Sequence, residues 1–582
     1  MDSPIPPQVA GSASSQARTR VVLAAIILFA VFKCLYLWLD MQHSLWDRDE
    51  PRYAEATRSM LESGNWVIPY FNGDIRPNKP VLIYWLMSVP MRFLGPTEIG
   101  ARCIASVAGA FTIVLCFLLA IRLGASFWVA TAGAVTIGLS PMLIVVSTAS
   151  TTDGVLLLWT VAALSIHWRQ KQAGFSWVRH GLFWVVVGLS ALTKGPPGIA
   201  VILSTIVAER VWSTLGHRYR WFPLSGGECE ANRAPTWVAA IIRTGFGLAV
   251  FLAVVAPWVI LVLIREGPSF FITQIRDHAM AHATRPMEGH RGPWIFYYIP
   301  VLMIASYAAL PLVIAALAWA FGTTRRAEVR FLLCWILPTL LIFGSAGTKL
   351  PHYIAPGFIP LALLAAVYLE ALRSGAGNDI SIWWWRVGSL IVLLIGTALG
   401  AGAIFGVRFS GIQELRLPSY FLCAGLVPLA IIAGHFWWRR RILLGLLPGW
   451  AAMVVLVAVV GLLAFPAIEP LRPSRLLADW IHRNAPEGTR LIATSYQEPS
   501  LVYYYRGQIE MASKSKGLEL IEALKAPANT AIIMEKDRWE KSTGIAQDFG
   551  IALTPNIRVR HGGRYYQFQK GGWIDLVVVG NW

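Results

Sequence analysis

Between residues 20 and 465 the chain returns repeatedly to apolar stretches close to the length of a membrane span. Lipid offers a backbone no hydrogen-bond partners, so such stretches cross as helices. Composition agrees. Apolar residues make up 56% of the chain, charged residues 14%, and mean hydropathy is +0.55. A soluble protein of this size carries about 25% charged residues, and a disordered, collagen-like or disulfide-scaffold chain is excluded by the same figures. The spans are expected near 20–40, 100–121, 126–147, 154–170, 180–194, 197–213, 238–265, 294–321, 328–347, 353–373, 384–405, 418–437 and 442–465. The reading is a polytopic α-helical membrane protein with about thirteen transmembrane helices.

One further apolar stretch, Pro80–Gly95, has roughly 16 residues, about 24 Å of helix against a hydrocarbon core of about 30 Å. If it crossed, Arg122, the Arg325/Arg326 pair and the Arg439–Arg441 run would all lie outside. If it lies in the interface, all lie inside, as basic loop residues do. The interfacial reading places the end of the last span outside.

The net charge of +18 fits the same picture. Basic residues in cytoplasmic loops set topology and meet anionic lipid, so membrane lipids rather than nucleic acid are the expected partner. The excess also leaves cations for an anionic substrate. Six cysteines, without a CxxC pair, imply no disulfide framework.

Residues 1–465 therefore read as a transmembrane region, with a first outer loop at 41–99. Residues 466–582 read as a small α/β domain outside the membrane. Its expected strands are Arg490–Tyr496, Leu501–Tyr505, Thr530–Glu535 and Trp573–Val579. Its expected helices are 475–484, with Ser474 as cap, and Leu518–Lys525; Gly562-Gly563 reads as a hairpin turn.

The motifs of soluble nucleotide and hydrolytic enzymes are missing, including the phosphate-binding P-loop, GxSxG and HExxH. Attention falls on the outer loops. In LWDRDEPRYAEATRSML, Pro51 suits a first helical turn with Asp49 and Glu50 at its positive end. Arg52, Glu55, Ser59 and Glu62 share one face of that helix, and Tyr53, Thr57, Met60 and Leu61 another. The helix could simply lie on the membrane, yet paired acids beside an arginine and a tyrosine also suit sugar transfer. Asp153, in STASTTDG, sits where a span begins. It can cap that helix, and a carboxylate at a membrane boundary also calls for a role. Lys79 in RPNKP, Lys194 in LTKGPPG, Arg285 and His290 in HATRPMEGHRGPW, and Lys349, His352 and Tyr353 in GTKLPHYIAP lie at outer turns. Each basic residue alone could snorkel to headgroups; several together suit an anion site. His278, His282, His290 and His352 fit no common zinc spacing, and a divalent metal is left as an option rather than a requirement. Glu498, in YQEPSLVYY, could form part of a pocket wall.

LWDRDEPRYAE, RPNKP followed by VLIYWL, TTDG, LTKGPPG and KLPHYIAP together resemble the polyprenyl-phosphate-dependent glycosyltransferases of the GT-C fold. Within them the chain is most similar to bacterial 4-amino-4-deoxy-L-arabinose lipid A transferases, relatives of protein O-mannosyltransferases. The resemblance covers the membrane part, and EPSLVYY extends it into the C-terminal domain. RPNKP departs from many relatives in carrying Asn78 before the lysine.

The resemblance implies an inverting pentosyltransferase with an undecaprenyl-phosphate-linked sugar as donor and a lipid A phosphate as acceptor. It implies a multi-pass protein of the bacterial inner membrane, with its active site in the periplasm under the C-terminal domain, and resistance to cationic peptides such as polymyxin. Asp49, Asp153 and, as an alternative, Glu50 are then the catalytic candidates. Arg52, Tyr53, Lys79, Lys194, Arg285, Lys349, His352, Tyr353 and Glu498 are the substrate-binding ones. A protein O-mannosyltransferase is the enzyme rival. A lipid-linked-sugar flippase is the non-enzyme rival, but it would place polar groups at mid-membrane rather than at one surface.

Overall fold

The computed structural model describes residues 7–219, 237–286, 291–324, 326–375, 380–512, 517–525, 529–548, 555–568 and 570–582. Cys229, His290 and Arg325 lie outside the described residues.

The chain opens with α1 (Pro7–Asp40), then α2 (Asp49–Ser63), a small hairpin of β1 (Tyr70–Phe71) and β2 (Asp74–Ile75), and α3 (Leu82–Leu94). The membrane region continues with α4 (Glu98–Arg122), α5 (Phe127–Gly138), α6 (Pro141–Ser147), α7 (Asp153–Ala173), α8 (Trp177–Lys194), α9 (Pro196–Tyr219) and α10 (Trp237–Glu266). After a segment of short turns come α11 (Tyr298–Ala305), α12 (Leu310–Gly322), α13 (Ala327–Ser345), α14 (Ala355–Arg373), α15 (Ile382–Ser410), α16 (Arg416–Trp438) and α17 (Ile442–Val459).

Among the described residues, nine helices are long and apolar enough to cross a membrane. Two bent pairs, α5 with α6 at 62° and the helices of Ile295–Ala305 and Tyr307–Gly322 at 78°, raise the number to eleven. The first bend has a local cause: Ser140 caps the new helix by accepting from the Leu143 N–H, and Pro141 occupies its first turn. The two other expected spans are α7 and α8, helices of 21 and 18 residues. Their ends carry Arg169, Lys171, Arg179 and Lys194, which reduces their apolar character. Helix α3, at 13 residues, is too short to cross. It packs on α4 and beneath α2.

The C-terminal region holds α18 (Pro473–Asn484), β3 (Arg490–Ala493), α19 (Pro499–Tyr505), β4 (Ile509–Met511), α20 (Gly517–Lys525), β5 (Thr530–Glu535), α21 (Lys536–Asp548), β6 (Arg558–Gln567) and β7 (Gly572–Gly580). The sheet runs β4-β3-β5-β7-β6. Its first three strands are parallel, and β7 is antiparallel to both neighbours. Parallel pairing requires crossovers, and these put apolar side chains on both faces. Leu477, Leu501 and Val502 cover one face; Leu520 and Leu524 cover the other.

Three local expectations fail here. Leu501–Tyr505 belongs to a helix, not a strand; Pro499 opens its first turn, and a short apolar run does not distinguish the two by period. Gly562 and Gly563 lie inside β6 and pair with Val577 and Leu576 rather than turning. Ser474 does not cap α18; its hydroxyl meets Tyr496 and Ser500 instead. Strand β4 and helix α21 were not anticipated.

The loop that follows α1 is fastened from below by a buried ion pair. Arg102 of α4 is fully enclosed and grips Glu50 of α2 with two bonds, Nε to Oε1 at 2.8 Å and Nη2 to Oε2 at 2.6 Å. Its other bonds go to the carbonyls of Asp40, His43 and Ser44 and to His43 Nδ1. Glu50 also accepts from the backbone N–H groups of Trp46 and Ser150, both at 2.7 Å. Burial pushes the Glu50 carboxyl up, but Arg102 overrides this and holds it at about 2. Removing one partner leaves the other charged, enclosed and alone. Arg102→Met should therefore cost about 3–5 kcal/mol of stability. Thermal unfolding in detergent should show this as a large drop, partly recovered in the double variant Arg102→Met/Glu50→Gln.

Candidate active site

Four chain segments bring charged side chains together at the end of the bundle that carries the C-terminal sheet. Helix α7 begins at Asp153, and the end of α8 brings Lys194 to it. Lys194 Nζ donates to Asp153 Oδ1 at 2.6 Å. The turn after α13 adds His352, whose Nε2 lies 3.8 Å from the other carboxylate oxygen. It also adds Tyr353, whose ring lies 4.3 Å beneath the Lys194 ammonium. Both Asp153 and Lys194 are about nine-tenths shielded. Such a pair is neutral overall and fixed in place by mutual attraction in a medium of low dielectric.

Lys79 comes to the same place from the turn between β2 and α3. Burial lowers its pKa to about 8, and nearby Lys194 adds to this, while Asp153 and Asp49 act the other way. His278 and His282, one turn apart in the segment after α10, border Lys79. Burial and Lys79 push His278 down, and burial is also the main cause for His282. Asn78 Nδ2 lies 3.4 Å from His278 Nδ1.

Asp49, at the first turn of α2, is more than half exposed and 3.8 Å from Arg52. Tyr53 is buried one turn below, between the Tyr84 ring and the Arg76 guanidinium. Asp49, Asp153, Arg52, Tyr53, Lys79, Lys194, His352 and Tyr353 thus share one neighbourhood.

Three candidates stand elsewhere, and one only borders the cluster. Glu50 lies underneath, every oxygen engaged by Arg102 and backbone N–H groups. Arg285 is exposed, just past the helical turn Ala281–Thr284, whose His282 and Ala283 carbonyls accept from the N–H groups of Thr348 and Gly347; in this pairing the Thr348 hydroxyl also donates to the Arg285 carbonyl. Lys349 follows that pairing but turns its ammonium back to the Ala346 carbonyl at 2.5 Å. Glu498 is buried beside a separate, small pocket that also involves Trp46, Asp47, Arg472 and Tyr496. There it accepts from Gln567 at 2.8 Å and lies 3.9 Å from Arg48. Among the described residues, no three His, Cys, Asp or Glu side chains form a metal-binding group.

The C-terminal region clamps the loop between α1 and α4 over this site. Ser500 donates through its backbone N–H and its hydroxyl to Asp47, at 2.9 and 2.7 Å. Burial pushes Asp47 up to about 6 against those two bonds. Arg472 donates to the carbonyls of Ser44 and Leu45 and covers the Trp46 ring. Asn72, at the β1–β2 tip, both donates to and accepts from the Ile509 backbone of β4, at 2.8 Å each way.

Sequence reasoning missed Arg102, Asp47, Arg472 and Arg76. A lone arginine just inside an apolar span was a readable sign for Arg102. Arg76 opens the RPNKP motif itself, where Lys79 drew the attention.

Comparison with known proteins gives these groups a setting. A model of dolichyl-phosphate-mannose-protein mannosyltransferases matches residues 21–266. The undecaprenyl phosphate-α-4-amino-4-deoxy-L-arabinose arabinosyl transferase of Pectobacterium carotovorum is 30% identical over 424 residues, 71% of this chain and 72% of that protein. The protein of the same name from Pseudomonas aeruginosa is 30% identical over 443 residues, 74% of this chain and 75% of its own length. Among solved structures, ArnT from Cupriavidus metallidurans bound to undecaprenyl phosphate has a similar fold. Its TM-score is 0.69 at 19% identity, covering 96% of this chain and 98% of that one. The oligosaccharyltransferase of Archaeoglobus fulgidus is more distant, at a TM-score of 0.50 and 11% identity over 93% of this chain and 73% of that one. By this identity and coverage, the chain belongs to the undecaprenyl phosphate-α-4-amino-4-deoxy-L-arabinose arabinosyl transferases, multi-pass membrane glycosyltransferases.

Proposed function

We propose that this protein moves 4-amino-4-deoxy-L-arabinose from undecaprenyl phosphate to a phosphate of lipid A, at the periplasmic face of the bacterial inner membrane and with inversion at the sugar carbon. In a chain of this family, the observation that carries the reading is the convergence of Asp49, Asp153, Lys79 and Lys194 beside the C-terminal sheet.

The acceptor phosphate oxygen attacks the anomeric carbon of the sugar. The bond from that carbon to the donor phosphate oxygen breaks, and undecaprenyl phosphate leaves with the electron pair. The attacking oxygen is already anionic, so little proton removal is needed. The difficulty is to bring two anionic lipids together and accept the charge of the leaving group. Fixed cations meet both needs without reorganising during reaction. Lys79 is the donor-phosphate ligand of this scheme. Arg285 and Lys349 supply further positive charge at the rim. Asp153, held by Lys194 and flanked by His352 and Tyr353, orients the sugar or its ammonium. Asp49 faces the acceptor, and Arg52 and Tyr53 support it. Glu50 fixes the loop rather than reacting. Glu498 lines the neighbouring pocket between loop and sheet.

Mass spectrometry of lipid A from cells with and without the protein tests the function directly. Aminoarabinose-bearing lipid A should appear only with the protein; identical spectra would remove the assignment. Asp49→Asn and Asp153→Asn should each lower transfer about 10²–10⁴-fold in protein that still folds. Near-normal transfer by the folded double variant would exclude both roles.

Lys79 adds a pH signature. Its free-protein pKa of about 8 lies below the usual lysine value, and only the ammonium attracts phosphate. Donor affinity should be full below pH 8 and then fall, by up to about tenfold per unit. In Lys79→Arg the guanidinium does not titrate, so any remaining donor affinity should stay flat over the same range. The check is donor KM measured from pH 7 to 9.5. Orientation has its own check: a cysteine near residue 440 should resist impermeant reagent in intact spheroplasts.

A further inference from the structure

We infer that Arg76 and the cleft it lines seat the phosphate of the acceptor, next to the Lys79–Lys194 site. This rests on the glycosyl transfer proposed above.

The cleft is open and offers about 330 Å³, room for a phosphate and part of a sugar ring while the rest of a large lipid stays outside. Arg52, Asn72, Asp74, Arg76, Asn78 and Gln497 supply its polar lining. The two arginines outnumber the one acid, Asp74. Three chain segments build the cleft: α2, the β1–β2 hairpin with the turn after it, and the C-terminal region.

Arg76 is the unusual member. It is only 8% exposed, its guanidinium lies 5.3 Å from the Tyr53 ring centre, and Nε has no hydrogen-bond partner among the described residues. An enclosed donor without a partner is costly, and a charged one more so. The fold nevertheless holds it firmly. The Arg76 backbone N–H donates to the Pro69 carbonyl at 2.8 Å. The hairpin just before it is locked to β4 by the reciprocal Asn72–Ile509 bonds. A guanidinium held against Tyr53 and beside Tyr84, with its Nε unpartnered, suits a phosphate, whose oxygens match its fork.

Position gives this site its role. Lys79 follows Arg76 by three residues, and the two ammonium and guanidinium groups feel each other. Lys79 belongs with Asp153 and Lys194, whereas Arg76 belongs with the hairpin cleft. Asp49 acts on Lys79 and pairs with Arg52, which lines the same cleft as Arg76. Two anion seats close to one carboxylate are what a reaction between two phosphorylated lipids requires.

The test uses purified full-length protein in detergent, with undecaprenyl-phosphate aminoarabinose as donor and lipid A as acceptor. Arg76→Gln should raise KM for lipid A about tenfold or more, while donor KM and kcat change by less than about twofold. Arg76→Lys should fall between, since it keeps the charge but not the fork. Unchanged undecaprenyl phosphate binding shows that the variant is folded. An unchanged lipid A KM in folded Arg76→Gln, or a rise in donor KM instead, overturns the inference. Should Arg76→Gln not fold, exposed Asp74→Asn decides: KM for lipid A should drop about two- to threefold, and no change overturns the inference. Wild-type protein that transfers nothing to lipid A would refute the proposed function itself.

Discussion

The Glu50–Arg102 pair is the fixed point from which the site is built. Arg102 spends its donors on Glu50 and on the chain leaving α1, so the start of α2 cannot drift from α4. Glu50 then receives the Ser150 N–H, three residues before Asp153. One carboxylate thus sets the distance between the helix that carries Asp49 and the helix that carries Asp153. Sinking Glu50 inward leaves its neighbour Asp49 facing out. Of two adjacent acids, one serves as an anchor and the other is left available.

A second constraint acts from above. The segment Tyr496–Tyr504 docks on the first loop through Ser500 to Asp47, Tyr503 to the Pro96 carbonyl and Tyr504 to Glu98. Helix α2 is therefore held between α3 and α19 instead of resting on lipid alone. The same docking fixes the hairpin through Asn72, and with it the turn that carries Arg76 and Lys79. The C-terminal sheet contributes rigidity to loops that, by themselves, would have few buried contacts.

Much of this was legible in sequence, and the reasons are specific. Span positions followed from apolar length, and the refusal to count Pro80–Gly95 as a span followed from arginine placement; α3 is indeed only 13 residues long. The helix starting at Asp49 was announced by Pro51 and its acids. Lys79, Asp153, Lys194 and His352 were found because their motifs place polar groups at the ends of apolar runs. Burial was not legible. Glu50 and Asp49 are adjacent in sequence with equal claims, and only the position of Arg102, more than fifty residues away, separates them. Leu501–Tyr505 reads equally well as strand or helix until β3 and β4 occupy the sheet. Glu498 was read as part of a pocket wall, and it does line a pocket, but the docking of α19 makes that pocket a separate one from the Asp153 cluster.

The mixture of acids and cations has a chemical logic under the proposed reaction. A site lined by cations alone would hold undecaprenyl phosphate as tightly after transfer as before, and binding shared equally by ground and transition states adds no rate. Asp153 neutralises Lys194 at rest and is itself fixed by that contact. Asp49 stands against Arg52 in the same way, at a looser 3.8 Å. Among the described residues no carboxylate lies within 4 Å of Lys79, and burial lowers its pKa, so its charge is poorly solvated. Its attraction for a phosphate is therefore strongest where negative charge is newly formed, on the leaving oxygen, and weakens once that charge is hydrated or carried away by the lipid. Balanced pairs that hold the geometry, together with one underpaired ammonium that responds to the developing charge, allow the product to leave.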